Sequence, residues 1–360
     1  MYIIATMERI KTLQGARDIL TQLQNRQTEF ILVGSYTETA QIDGITAAGL
    51  PGFIDYTPAL DMELLYYGYP KSMPDIAKMP DGPPSPVLIA SAVRSLSPLP
   101  LQFIDAGLKI PTKAPITKIN SNFSKSITEN AQINAEELFN EGKRYAQEIS
   151  HTSEVFIIGE VVPAGTTTAY AVTKALGYEC DGWFASSSAE LGVTNLKRKI
   201  VDEAIEKHVN KQSTLFDILS CVGDTMQPFV AGLVTTLSQT NTVILGGGTQ
   251  MAAVLAILKE IQTAKENINF KNTALITTKW IAHDRQSNIA TLLCAIDPTL
   301  NAFFVDFDFS ASDIKNLRLY DEGYVKEGIA SGANIAYAYL NGITQEEITS
   351  KVEEIYSSFS

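Results

Sequence analysis

Two stretches of the chain carry residue types suited to holding an anion. In "EVFIIGEVVPAGTTTAYAV", from Glu154, an apolar run passes Gly159, Glu160 and Gly165 and opens a helical pattern on Thr166, Thr167 and Thr168. In "VILGGGTQMAAVLAILKE" the same order recurs, with Gly246, Gly247 and Gly248 followed by Thr249. A strand that ends on such a turn leaves unpaired backbone N–H groups at a helix N-terminus, where the aligned peptide dipoles favour negative charge. Glycine lets a ligand approach the backbone closely, and threonine hydroxyls can cap the helix or donate to an anion. Phosphate is the natural guest. The common phosphate loops do not match. Five residues separate Gly159 from Gly165 and no lysine follows, unlike a Walker loop, and the G-x-G-x-x-G fingerprint is absent. Further polar groups stand near the ends of other apolar runs: the basic cluster "LKRK" at Leu196–Lys199, and Thr277, Thr278 and Lys279. Each also has a plain structural use. Glu160 can cap a helix, "LKRK" can be an exposed helical face, and "TTK" can be ordinary strand-end polarity.

The elements that must position these groups alternate. Short, nearly continuous apolar runs at "EFILVGS" (Glu29–Ser35), "LQFIDAG" (Leu101–Gly107), "EVFIIGE" (Glu154–Glu160), "NTVILGGG" (Asn241–Gly248), "TALITT" (Thr273–Thr278) and "NAFFVDFDF" (Asn301–Phe309) read as strands buried on both faces. Between them "AEELFNEGKRYAQEI", "TNLKRKIVDEAIEKH", "TQMAAVLAILKEIQTA" and "ANIAYAYLNG" repeat apolar residues at helical spacing. This order predicts an α/β fold: a three-layer, Rossmann-like parallel sheet with helices on both faces. We expect one unit over 1–360, with the α/β core at about 90–320 and a smaller helical subdomain from the terminal segments 1–28 and 325–360. Residues 55–86 include "YYGYPKSMPDIAKMPDGPPSP", whose dense Pro and Gly predict a long ordered loop without regular structure. Its Tyr66, Tyr67, Tyr69 and Met73 suit either a flat apolar wall or a plain surface connection with scattered aromatics.

Composition narrows the guests. A net charge of −12 without a concentrated Lys/Arg run argues against a nucleic-acid partner. No apolar run approaches the length of a membrane span, and the polar start predicts a cytoplasmic protein with no membrane partner. Cys180, Cys221 and Cys294 are an odd number and far apart, so they read as buried thiols. His151, His208 and His283 lack any metal-ligand spacing, and neither a metal nor a cofactor is expected.

Taken together, "IIGEVVPAGTTTAYAV", "ILGGGTQMAAV", "LQFIDAGLKIP" and "VKEGIASGANIAYA" resemble the nicotinate-nucleotide:dimethylbenzimidazole phosphoribosyltransferases, in the divergent branch of archaea and cyanobacteria. The likeness runs from about Leu101 onward. Against the bacterial motif G-E-M-G-I-G-N-T-T, Gly159, Glu160, Gly165, Thr167 and Thr168 match, with one residue inserted and Thr166 in place of Asn. Gly247 and Gly248 match the second glycine motif. The likeness of "LKRKI" to the family's L-x-R-K pattern implies a phosphate-binding lysine at Lys199. "KEGIASGA" implies the catalytic glutamate at Glu327, with one residue more than the family's G-E-G-S-G-A. The family's Ser-His pair is replaced by "TTKW", which leaves Thr277 and Thr278 as ribose or phosphate contacts. Its N-terminal base-binding region has no counterpart, so the base accepted stays open.

What the resemblance implies is transfer of ribose 5-phosphate from nicotinate mononucleotide to dimethylbenzimidazole, adenine or a similar base, giving an α-riboside phosphate for a cobamide's lower ligand. The pyridinium is an activated leaving group, so the protein's work is alignment and charge stabilisation. Glu160 would hold ribose hydroxyls and Glu327 would take the base's N–H proton. The family also implies a homodimer. Two other readings suit the same residues: another nucleotide or sugar-phosphate enzyme on this sheet, or a protein that binds the mononucleotide without turning it over.

Overall fold

A computed structural model describes the chain except residues 1–5, 25, 50–51, 78–81, 187–192, 265 and 360. Eight strands form one sheet: β1 (Ile10–Gln14), β2 (Thr28–Gly34), β3 (Leu101–Asp105), β4 (Thr117–Lys118), β5 (Val155–Val161), β6 (Thr242–Gly246), β7 (Thr273–Thr278) and β8 (Asn301–Val305), in the order β1-β8-β7-β6-β5-β2-β3-β4. The six apolar runs expected as strands are all strands. Every pairing is parallel except β1 against β8, so the expected parallel sheet is mixed, with one antiparallel edge. Strand order reverses between β2 and β5, the kind of place where an open sheet leaves a crevice at its carboxyl edge.

The principal helices are α1 (Thr57–Tyr67), α2 (Val87–Leu96), α3 (Ala135–Ile149), α4 (Gly165–Ala175), α5 (Val193–His208), α6 (Leu215–Val222), α7 (Met226–Leu237), α8 (Thr249–Thr263), α9 (Ile289–Ile296), α10 (Ser331–Leu340) and α11 (Gln345–Ser357). Successive strand residues point to opposite faces, and both faces are covered. Ile31, Val33, Phe156, Ile158, Val243 and Leu245 join one core with α3, α4, α7 and α8. Phe30, Leu32, Val155, Ile157, Ile244 and Ile276 join the other with α1, α2, α10 and α11. That double cover is why the strands are apolar throughout rather than alternating. No helix among the described residues is long and apolar enough to cross a membrane. Of the three thiols expected inside, Cys180 is buried, Cys221 is partly exposed and Cys294 is exposed.

Two expectations about the outer segments are corrected. The N-terminal piece expected as helical holds β1 and a 3-10 turn at Arg17–Leu23. The sequence "IKTLQ" is short and partly exposed, as suits an edge strand. Within 55–86, Thr57–Tyr67 is an α-helix, not loop. Pro58 lies in its first turn, where a missing N–H costs nothing, and Gly68 closes it with φ of 82°. Gly68, one of the residues that suggested breakage, is its C-cap. Tyr66 and Tyr69 are exposed at 43% and 45% and make no wall. The buried side of α1 carries Leu60, Asp61 and Leu64 instead. Residues 78–81 of the expected loop lie outside the described residues.

Candidate functional site

A cavity of about 620 Å³ opens at the carboxyl ends of β5 and β6, between the turn into α4, the turn into α8, the segment before α10, and α1 with residues 82–86. It is within the range of sites that enclose a small ligand. Glu160, Gly165, Thr166, Gly248, Thr249, Gln250, Lys326 and Glu327 line its polar part.

The chain enters α4 through a strained turn. Ala164 takes φ of 61°, and an added Cβ at Gly165 would fall 1.9 Å from Gln250 Oε1, so α4 and α8 begin almost in touch. α10 starts in the same way after Ile329 (φ 53°) and Ala330 (φ 56°). Left-handed backbone at a β-branched residue is uncommon and clusters at functional sites. Gly332 then lies so close to β7 that a Cβ would stand 2.3 Å from the Thr277 carbonyl carbon.

This packing fixes Glu327. One carboxyl oxygen accepts the Thr278 N–H at 3.0 Å and the Thr277 hydroxyl at 3.1 Å, and the other accepts the Gly328 and Gly332 N–H groups at 3.2 Å. Burial pushes its pKa from 4.5 to about 7 despite those four bonds. Glu160, 5% exposed, accepts Gln250 Nε2 at 3.1 Å. Burial first, then the charges of Asp224 and Glu327, raise its pKa to about 8. Asp224 is wholly buried, accepts the Thr168 hydroxyl at 2.5 Å and the Met226 N–H at 3.0 Å, and is raised by burial to about 6. Glu160 thus lies within electrostatic reach of two other buried carboxyls, and neutral pH leaves protons among the three.

Cationic charge stands at one side. Lys197, 3% exposed, donates to Thr166 Oγ1 at 2.6 Å and to the Ala185 carbonyl at 3.2 Å, directly behind the cavity wall. Burial, and then Lys326, lowers its pKa to about 7. Lys326 lines the cavity and pairs with Asp284 at 3.0 Å, both side chains being buried. Thr278 also donates to the Lys326 carbonyl, which ties the two segments together.

Several expected site residues are placed differently. Lys199 is a correction: its side chain is 73% exposed and faces Glu203 at 3.9 Å, away from the cavity. Positions 197 and 199 of a helix lie about 200° apart, so only one can face inward. Lys197 shares its face with Ile200, Val201 and Ala204, all buried. A lysine in that apolar stripe was the readable signal. Thr277 and Thr278 do not line the cavity and hold Glu327 instead. Thr168 pins α4 to Asp224, while Thr167 is buried with a hydroxyl that has no hydrogen-bond partner among the described residues. Of the glycines, Gly165 and Gly248 line the cavity and Gly247 stands behind them. Sequence reasoning missed Lys197, Asp224 and Lys326. Nothing local marks the last two, because only long-range packing buries them.

Residues 94–271 match the family model described as Phosphoribosyltransferase. Over the whole chain, a UPF0284 protein of Archaeoglobus fulgidus is 36% identical over 354 residues, covering 96% of this chain and 98% of the relative. Two solved structures share the fold. One is CobT from Thermus thermophilus, with TM-score 0.60 and 13% identity, covering 96% of this chain and 97% of that one. The other is a nicotinate-nucleotide-dimethylbenzimidazole phosphoribosyltransferase from the same organism, with TM-score 0.57 and 13% identity, covering 96% of each chain.

Proposed function

The chain belongs to the family of the UPF0284 proteins and is a phosphoribosyltransferase, and from that premise we propose that it moves the ribose 5-phosphate of nicotinate mononucleotide onto a benzimidazole or related base. The observation that carries this reading is one cavity that joins two helix N-termini, the buried carboxyls Glu160 and Glu327 and an apolar wall, with Lys197 behind Thr166. The mononucleotide and its acceptor present the matching chemistry of anionic phosphate, ribose hydroxyls and a flat aromatic base.

In this reading the phosphate takes the N–H groups at the start of α4 with Thr166, and Lys197 and Lys326 neutralise it. An arriving dianion draws a proton onto Lys197. Glu160, mostly protonated at neutral pH, donates to or accepts from ribose hydroxyls. As the C1′–N bond breaks, its electron pair leaves with nicotinate, and the ionised Glu327 carboxylate stabilises the positive charge that develops at C1′. A ring nitrogen of the base forms the new bond from the opposite face, and Glu327 accepts the proton of its N–H. A base with a pKa near 7 is well matched to that task. Thr277, Thr278, Gly328 and Gly332 act as positioning groups for Glu327.

The product would be an α-riboside phosphate for a cobamide's lower ligand, made in the cytoplasm by a homodimer. The test is to mix the protein with nicotinate mononucleotide, with and without dimethylbenzimidazole or adenine, and follow free nicotinate by chromatography. Base-dependent release is expected. Mononucleotide that binds but is never consumed would leave a binding protein in place of the enzyme.

A further inference from the structure

The compartment beyond Glu327 is walled by Leu60, Leu64, Pro84, Pro86, Leu88 and Ile329. One carboxyl lines it. Asp61, on the inner face of α1, is 9% exposed and serves none of the steps above. Its Oδ1 accepts the Ser85 hydroxyl at 2.8 Å, and Ser85 Oγ in turn accepts the Val87 N–H at 3.3 Å. That chain fixes the carboxyl's orientation. Among the described residues, its Oδ2 accepts no hydrogen bond and no lysine or arginine is paired with it. Burial raises its pKa to about 7, with Ser85 the one group opposing the shift. Tyr320, buried and donating to the Pro84 carbonyl at 2.7 Å, is pushed up by burial and then by the charges of both Asp61 and Glu327. One buried phenol therefore lies within electrostatic reach of both acids, and both acids line the same cavity.

A carboxyl oxygen that faces a cavity among apolar side chains is left unpaired, at a cost, when a ligand fills that space without supplying a donor. Resting on the transferase reading, we propose that Asp61 is the specificity residue of the base compartment, its Oδ2 accepting a hydrogen bond from an exocyclic N–H or a ring O–H on the edge of the base remote from the attacking nitrogen. The acceptor class is then a donor-bearing heterocycle, an aminopurine or a hydroxylated benzimidazole. Dimethylbenzimidazole, which offers only methyl groups there, leaves the oxygen desolvated and unpaired. Discrimination of this kind is large because the site's own polar atom is stranded by the wrong ligand.

The test pairs bases that differ only in the donor: adenine against purine, and 5-hydroxybenzimidazole against 5-methylbenzimidazole. Affinity is measured by calorimetry with nicotinate mononucleotide present, and kcat/KM is measured beside it. The donor-bearing member is expected to win by about tenfold or more in at least one pair, as one hydrogen bond to a charged group implies. The pair with the larger ratio names the acceptor. Asp61→Asn keeps an oxygen for Ser85 while replacing the free acceptor by a donor, so it should cut the ratio to about one without loss of thermal stability. Asp61→Leu should go further and favour dimethylbenzimidazole. A wild-type enzyme that takes dimethylbenzimidazole as well as the donor-bearing bases, or a ratio unmoved by either substitution, overturns the proposal while leaving the transferase reading standing. Absence of turnover with every base sinks the transferase reading itself. Donor-selective binding that depends on Asp61 then still supports this assignment.

Discussion

The two ends of the cavity are built from opposite materials. The polar end is assembled from the starts of α4 and α8, with Lys326 on its lining and Lys197 behind Thr166, so charge and backbone dipoles dominate there. The other end is assembled from α1, residues 82–88 and Ile329, and is mostly apolar, with Thr57, Ser85 and Asp61 its polar groups. Glu327 stands where they meet. The contrast teaches that one end can recognise a group common to many nucleotides with a preformed anion site, while the other sets which partner is accepted.

Breaking the junction should have the largest effect. Glu327→Gln keeps the shape and should retain mononucleotide binding while lowering kcat by roughly a hundredfold or more, the usual reach of a general base. Full kcat in that variant would move the base elsewhere. In the wild type, kcat at saturating mononucleotide, where the bound phosphate holds the proton on Lys197, should rise with pH through about 7 as Glu327 ionises, and a profile flat across that region would remove it from the role.

Next comes the polar end. Lys197→Met should weaken mononucleotide binding by roughly 10- to 100-fold, with little change in affinity for the base, as loss of a charge-assisted hydrogen bond implies. Lys199→Ala, its exposed neighbour, should change neither by more than about twofold. Equal losses in the two variants would contradict the assignment of Lys197.

A smaller effect should appear in stability against pH. Burial raises Glu160 to about 8, Asp61 and Glu327 to about 7 and Asp224 to about 6. Between about pH 4.5 and 7 the folded chain therefore holds protons that the unfolded chain has released. Stability present at the acidic end is lost as pH rises through those folded values. Above pH 7 Lys197 acts in the opposite sense, because the folded chain has lost a proton that the unfolded chain keeps. The ligand-free protein should melt several degrees higher near pH 5 than near pH 7, with a shallower slope in Asp224→Asn. A Tm that rises over that interval would mean the carboxyls are not buried in this way. Smallest of all, replacing Tyr66 and Tyr69 by Ser should leave KM for the base within about twofold, since neither lines the cavity.

The same contrast explains what the sequence discloses. The polar end is legible because each strand, turn and helix start is contiguous: Val155 through Ala175 contains β5, its glycine turn and α4 in order. The base end is scattered over Asp61, Ser85 and Ile329, which no local pattern joins. α1 is further masked because Gly68, its C-cap, looks like a breaker, and because it is buried over most of its circumference and shows no periodic stripe. The misplacement of Lys199 has a different cause. The motif likeness outweighed the helical period, and the period was the better guide, since Lys197 occupies a position that the stripe of Ile200, Val201 and Ala204 turns inward.

If donor and acceptor meet inside one cavity and react in a single displacement, the stereochemistry and stoichiometry of the product are fixed, and both are read by identifying the riboside phosphate by proton NMR while counting nicotinate. One α-configured product is expected for each nicotinate released, with negligible release without a base. A β-configured product, or nicotinate released equally fast with no base present, would contradict that displacement.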